Sequence, residues 1–479
     1  MGDLALNIAV SGVDAQQTAM DTVAQNLANA NTPGYLSETA DIVSTTSGDA
    51  LGVGAGAHIA TVSQTSDGLL MANAQQTQGA LAYSTALQQV LSGAQAVFPE
   101  PSNNGIASQL ANFWQSWDAI AQNPSGTAAR TQVIDQAQNL ATQFNLASSQ
   151  LTNLSNDAYG QLKTLTTETN TELAQVASLN EQIVATKQSG TPPNSLVDQR
   201  NQVLDQLASN IGAVASPQAD GSVNVVVGGI TLVQGTWADT LQTQYAAATS
   251  TTPASYSLQA VASGASLPAS SGTAAGLLAA MNSYIPTYQN QLDTTAYRLG
   301  TDVNTYLAAG YTATGSPGAP LFTGVGSSTA AAVNIGVNPA IVADPQLIAA
   351  SAVAGSSTSP NPAANDGANA QAIAAIADWT GGQPPPEPAG SLLAQLVSAP
   401  YNSYSTLIED LGNNVQAINT QVQAQTSVAN AAKQNLQAAT GVDPNAQMVA
   451  LLTYQQAYQA SAKVIATAAS AMQALLQAV

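Results

Sequence analysis

Cysteine is absent from this chain of 479 residues, and histidine occurs once, at His58. The first absence removes disulfide frameworks, thiolate zinc sites and cysteine nucleophiles together. The second leaves no two-histidine metal site within one chain. Charge is scarce as well: 7% of residues are Asp, Glu, Lys or Arg, against about a quarter in ordinary globular domains. Seven bases face 27 acids for a net charge of −20, and the first base along the chain is Arg130. A phosphate backbone is held by clustered Lys and Arg, so nucleic acid is excluded as a partner. Gln, Asn, Ser or Thr interrupts every apolar stretch before the roughly 18 residues that a membrane-spanning helix needs. Met1 to Gln17 holds neither Lys nor Arg, so the basic start of a cleaved secretory signal is missing too.

What is abundant is apolar surface, 45% of the residues, enough to bury a large core in about three domains. Its spacing is helical at both ends. Leu6, Val13, Met20 and Leu27 recur every seven residues, which predicts one apolar stripe on an amino-terminal helix. Asn29, Asn31, Thr32, Pro33, Gly34 and Tyr35 then read as its stop, because proline pushes Thr32 out of the helical region. At the carboxyl end Leu451, Tyr458, Ile465 and Met472 keep the same interval, joined by Tyr454 and Leu475. Asp443 is the expected N-cap of that helix, with Pro444 in its first turn.

Two interior seams predict long rods. Ile408, Leu411, Val415, Ile418, Val422, Ala429, Ala432 and Leu436 mark one, and Leu151 to Ile183 marks another running from about Phe144 to Lys187. Their outer faces carry Gln, Asn, Thr and Ser, so shape selects partners more than charge does. Between the rods, Val223, Val225 and Val227, then Gly228-Gly229, then Ile230 and Leu232, predict a hairpin. Leu277, Leu278, Met281, Ile285, Leu292, Leu299, Val303 and Leu307 predict a helix pair that rejoins the rods. The expected architecture is multidomain α+β. Residues 1–42 and 440–479 form a terminal helical assembly domain. Residues 43–212, 276–325 and 391–439 form a mostly helical shaft, and residues 213–275 and 326–390 form an outer β-rich domain that includes the Pro384-Pro385-Pro386 tract.

No catalytic, cofactor or metal site is expected. His58, in Gly-Ala-His-Ile, reads as a turn or strand residue, and no Gly-x-Ser-x-Gly elbow surrounds Ser63 or Ser66. Gly52, Gly54 and Gly56 lack both the closing glycine of a dinucleotide fingerprint and the lysine of a P-loop. Glu168, Glu172 and Glu181 sit on a rod as a solvated face, and Asp198 with Arg200 reads as capping plus a surface ion pair. The terminal stripes weigh differently. Two helices with one apolar face each make only a thin pair alone, so other copies or other proteins are expected to complete their burial.

Asn26-Leu27-Ala28-Asn29-Ala30-Asn31-Thr32-Pro33-Gly34-Tyr35 resembles the amino-terminal signature of the bacterial flagellar axial proteins, the rod, hook and hook-associated subunits. Tyr454 to Ile465, Tyr-Gln-Gln-Ala-Tyr-Gln-Ala-Ser-Ala-Lys-Val-Ile, resembles their carboxyl-terminal signature. Four interior stretches are similar to the hook-associated branch: Ser178 to Ile183, Pro192 to Arg200, Gly310 to Phe322, and the region of Phe113, Pro124, Arg130 and Phe144. The resemblance implies a structural subunit at the junction of hook and filament, with copies of itself in a ring, the hook protein and a second junction protein as partners. It implies an export chaperone on the carboxyl-terminal helix, and export to the extracellular flagellum by the flagellar type III apparatus without a cleaved signal peptide. It implies terminal helices that order only on assembly. Ser37 departs from the family, which commonly has a basic residue there. Another axial subunit, a wall-degrading hydrolase and a secreted β-rich adhesin are the competing readings.

Overall fold

The computed structural model describes residues 2–32, 34–46, 54–249, 253–354, 362–378 and 400–477. Pro33, Gly52, the Pro384-Pro385-Pro386 tract and the side chain of Leu475 lie outside the described residues.

Helix α1 (Gly2–Ala28) leads through the signature turn into an antiparallel hairpin, β1 (Glu38–Thr45) and β2 (Gly56–Gln64). His58 lies on β2, as expected, and its Nδ1 meets Thr45 Oγ1 at 3.0 Å. Asp67 then caps α2 (Gly68–Val97) by accepting from the amides of Leu69 and Leu70. Helices α3 (Ile106–Gln122), α4 (Thr127–Gln188) and α5 (Asn194–Ile211) follow. The rod expected from about Phe144 is α4, and it begins earlier: 62 residues long, it spans about 93 Å at 1.5 Å per residue. Its first turns are fixed by tertiary contacts that a seam of large apolar residues does not reveal.

The chief of these contacts is Arg130, fully buried near the start of α4. Its Nε and Nη2 donate to Pro124 O at 3.1 and 2.8 Å, and its Nη1 donates to Ile348 O at 2.5 Å. Burial lowers its pKa from the ordinary arginine value. Carbonyl dipoles therefore carry this buried charge in place of a hydrogen-bonded carboxylate. In the hydrophobic core Phe113 packs edge-on against Trp117 and tilted against Phe322.

Strands β3 (Val214–Pro217), β4 (Val223–Val227), β5 (Ile230–Gln234) and β6 (Trp237–Ala238) form one antiparallel sheet in chain order. The hairpin expected at Gly228-Gly229 joins β4 to β5. Both glycines have positive φ, 54° and 86°, as a two-residue turn matching the strand twist requires. Val223, Val225, Val227, Leu232 and Val233 bury its inner face. Strands β7 (Leu241–Ala246) and β8 (Ser255–Ala260) pair along six residues against α4.

The expected helix pair is α6 (Gly272–Ala279) and α7 (Ile285–Ala309), joined by a π turn over Ala280–Tyr284. Pro286 follows that turn: its missing N–H and its ring disfavour regular helix in the preceding turn, and the Ile285 amide bonds Ala280 O instead. The stretch expected to continue the β-rich domain, 326–390, differs where it is described. The two-residue strand β9 (Phe322–Thr323) precedes it and pairs with β10 (Gly336–Val337), which lies between α8 (Ala331–Asn334) and α9 (Pro339–Ala343), and α10 (Ala368–Ala374) follows. These short helices pack on α3, α4 and α7. Gly-Ser-Pro clusters are turn chemistry, and without alternating apolar residues they build no sheet.

Helix α11 (Pro400–Thr440) returns along α2 and α7, burying Leu411, Val415, Ile418, Ala429 and Ala432 of its predicted seam. Helix α12 (Pro444–Gln477) then lies along α1. Asp443 caps it as expected, accepting from the amides of Asn445 and Ala446.

Candidate assembly site

The two terminal helices meet through small side chains. Ala9, Ala15, Ala19 and Val23 are the buried apolar residues of α1, which contacts α12 and the β1–β2 hairpin. A Cβ built on Gly12 would stand 3.1 Å from Ser461 Oγ, so the α12 chain approaches α1 closely there. The predicted stripe lies on the flank of this face: Leu6, Val13 and Met20 are half-buried, and Leu27 is 40% exposed. On α12, Leu451, Tyr454, Tyr458 and Ile465 are half-buried, whereas Met472 is 43% exposed. No described side chain of α12 is buried. Met448, Val449, Leu452 and Val464 add further exposed apolar surface.

At the root of the pair stands Asn26, fully buried and using its whole hydrogen-bonding capacity. Its Nδ2 donates to Glu38 O at 2.7 Å and to Gln447 Oε1 at 3.1 Å. Its Oδ1 accepts from Tyr35 OH and from the Glu38 amide, both at 2.9 Å. One amide thus joins α1, the signature turn, β1 and α12. The turn itself is laced locally. Thr32 Oγ1 donates to Asn29 Oδ1 at 3.1 Å, the Tyr35 amide bonds Thr32 O at 3.2 Å, and Gly34 sits between them at φ +78°. Ser37 takes its place in the junction through its backbone: its amide donates to Thr440 O, the last residue of α11, and its carbonyl accepts from the Thr65 amide.

The hairpin straps this root to the shaft. Near the start of β2 the Ala57 amide bonds Ser11 Oγ of α1 at 3.2 Å. At its end Gln64 Nε2 donates to Asn194 O and Asp198 Oδ1 of α5, and Asn194 Nδ2 donates back to Val62 O. Asp198 is buried, and burial pushes its carboxyl up to about 6, with Glu38 adding in the same direction and Gln64 and the Leu36 amide opposing. Burial and the neighbouring carboxylates of Glu38 and Asp198 raise the Tyr35 phenol as well, so it stays a donor to Asn26 at neutral pH.

The surface ion pair expected of Asp198 and Arg200 is corrected by the structure. Both are buried, and Arg200 Nη1 donates to Asn180 Oδ1 and Gly221 O. Residues two apart on a helix, as Asp198 and Arg200 are on α5, lie on different faces and meet different neighbours, which a reading by sequence proximity overlooks. Asn180 is a second saturated amide, donating to Val223 O and Gly235 O and accepting from the Val223 amide. Two of the interior motifs, Ser178 to Ile183 and Pro192 to Arg200, therefore meet at one contact. Neither amide hub was singled out from the sequence as a buried polar centre; the one signal was that each lies inside a signature stretch.

Among the described residues there is no group of three His, Asp or Glu side chains arranged to hold a metal ion, and no helix long and apolar enough to cross a membrane.

Residues 91–322 match the family described as flagellar hook-associated protein FlgK helical domain. Residues 6–35 match the flagella basal body rod protein family, and residues 433–478 match the flagellar basal body rod FlgEFG protein C-terminal family. The chain is 29% identical over 242 residues to flagellar hook-associated protein 1 of Bacillus subtilis (strain 168), covering 47% of this chain and 48% of that protein. It is 26% identical over 325 residues to the protein of that name from Salmonella typhimurium and 27% identical over 326 residues to that of Escherichia coli (strain K12), each covering 66% of this chain and 59% of the relative. The matches thus span about half to three fifths of the relatives' length. The solved structure of the flagellar hook junction protein FlgK from Burkholderia pseudomallei shares the fold, with a TM-score of 0.60 at 17% identity over 78% of this chain and all of that one.

Proposed function

From a chain that carries the FlgK helical domain between terminal segments of the flagellar rod-protein type, we propose a structural subunit of the bacterial flagellum that joins hook to filament and assembles with copies of itself through its terminal helices. The observation that carries this reading is α12: 34 residues of helix with no buried side chain among those described. Fully burying one Leu or Val is worth about 1.5–3 kcal/mol, and this helix holds several that α1 leaves uncovered. Neighbouring copies in a ring supply that cover, and the hook protein and a second junction protein flank the ring. Before assembly an export chaperone covers the same helix. The subunit reaches the extracellular flagellum through the flagellar type III apparatus. It performs no catalysis; its work is mechanical.

Amide hydrogen exchange on the purified full-length monomer tests the reading. Fast exchange in residues 4–27 and 444–474 beside a protected 144–187 rod is the expected result. Equal protection of the ends and the rod in the monomer would mean a self-contained fold and would overturn it.

A further inference from the structure

Methionine is the only sulfur-bearing residue type of this chain, which has six methionines and no cysteine. Met1 lies outside the described residues. Of the others, Met281 is in the core at 1% exposure, and Met20 and Met71 are half-buried. The remaining two, Met448 and Met472, are 48% and 43% exposed, and both belong to α12. Met448 stands in the second turn of that helix, next to Gln447 of the Asn26 node. It adjoins Val449 in sequence and lies one turn before Leu452, and these two are 65% and 55% exposed. Met472 stands near the other end of the helix.

We propose that Met448 and Met472 are a modification site through which peroxide controls self-association: oxidation of their thioethers to sulfoxides in the free subunit makes α12 a poor surface for a neighbouring copy to cover. The step balances with hydrogen peroxide alone. The sulfur lone pair takes one oxygen atom, the peroxide O–O bond breaks, the sulfur is oxidised, and the remaining oxygen leaves as water. A flexible apolar side chain thereby becomes a polar one that accepts hydrogen bonds and donates none, and burying it among residues such as Val449 and Leu452 leaves that acceptor unpaired. With no thiolate in the chain to react first, exposure ranks the targets, and α12 carries the two most exposed. The inference rests on the self-association proposed above and adds its regulation.

Brief exposure of the full-length monomer to hydrogen peroxide, read by peptide mass spectrometry, sedimentation velocity and hydrogen exchange, tests the proposal. Met448 and Met472 are expected to gain one oxygen at least tenfold faster than Met281. The treated protein is expected to keep its urea midpoint and to need at least tenfold higher concentration to associate. Met448→Leu/Met472→Leu keeps the apolar volume, so it associates like untreated wild type and does so after peroxide as well. Oxidation of the pair no faster than of Met281, treated wild type that associates at the untreated concentration, or a double variant as sensitive as wild type overturns the inference. Untreated wild type that associates while residues 444–474 stay unprotected overturns the helical reading, whatever peroxide does. Equal protection of those residues in treated and untreated protein overturns the inference alone, and a wild type that never associates overturns both.

Discussion

Asn26 in α1 donates a hydrogen bond to Gln447 in α12, at 3.1 Å and across 421 residues of sequence. The same side chain holds Tyr35 and both backbone groups of Glu38, so the start of the chain, its first turn and its last helix share one polar centre. Directional bonds at the root fix how the two helices leave the shaft. The alanine face beyond it sets how closely they run. Large apolar residues stay on the flanks, where a neighbour can reach them.

Asn26→Asp replaces two donors with an acceptor facing Glu38 O and Gln447 Oε1. The terminal pair is expected to lose about 2–3 kcal/mol of local stability, because buried acceptors are left unpaired beside a new charge. In the associated protein, exchange in residues 4–27 should speed by more than tenfold while α4 is unchanged. Unchanged exchange at the ends would show that the node does not hold them.

Asp198 gives the strap a pH dependence of defined sign. Its carboxyl titrates near 3.8 in the unfolded chain and at about 6 in the fold. Between those values the folded chain keeps a proton that the unfolded chain has lost, so stability falls as pH rises through this window and is greatest below it. Asp302, buried and raised to about 7, acts in the same direction. The urea midpoint is therefore expected to be higher at pH 5 than at pH 7.5. Asp198→Asn removes the desolvation penalty but spoils one of two accepted hydrogen bonds, for a net gain of about 1 kcal/mol at pH 7.5 and none at pH 4. A midpoint that rises between pH 5 and 7.5 contradicts this assignment.

Arg130→Met keeps much of the side-chain volume but strips the donors from Pro124 O and Ile348 O, 224 positions apart along the chain. The expected loss is about 3 kcal/mol in urea unfolding. Arg130→Lys should recover less than half of it, since one ammonium cannot reproduce a planar fork aimed at two carbonyls. Full rescue by lysine would mean that charge alone matters here.

Much of this architecture was legible because large apolar residues at helical intervals have few other uses. Leu411, Val415 and Ile418 lie buried along α11, and the Asp443-Pro444 start and the Gly228-Gly229 turn follow from backbone chemistry alone. Other features stayed hidden for physical reasons. The buried face of α1 is mostly alanine, which marks close approach as readily as it marks filler, so the eye follows Leu6, Val13, Met20 and Leu27 to the flank instead. Asn26 and Asn180 carry no sign of burial in the sequence, since asparagine is buried only when its bonds are met, and those partners lie far away along the chain.

Leu452 and Val464 offer the sharpest separation between folding and assembly. They are 55% and 47% exposed on α12. Replacing an exposed apolar residue by glutamine in a helix changes monomer stability by about 0.5 kcal/mol or less, because neither water nor a neighbour is displaced. In the assembly proposed above, the same change would bury an amide among apolar groups, or leave them wet, at each copy. The double variant Leu452→Gln/Val464→Gln should therefore match wild type in its urea midpoint and yet need at least a hundredfold higher concentration to associate, as measured by sedimentation velocity. Salt should barely alter the helical contact, which joins apolar and amide groups and holds few charges. If the variant instead unfolds early and associates normally, these side chains serve the monomer, and the ring must be held by another face of the terminal pair.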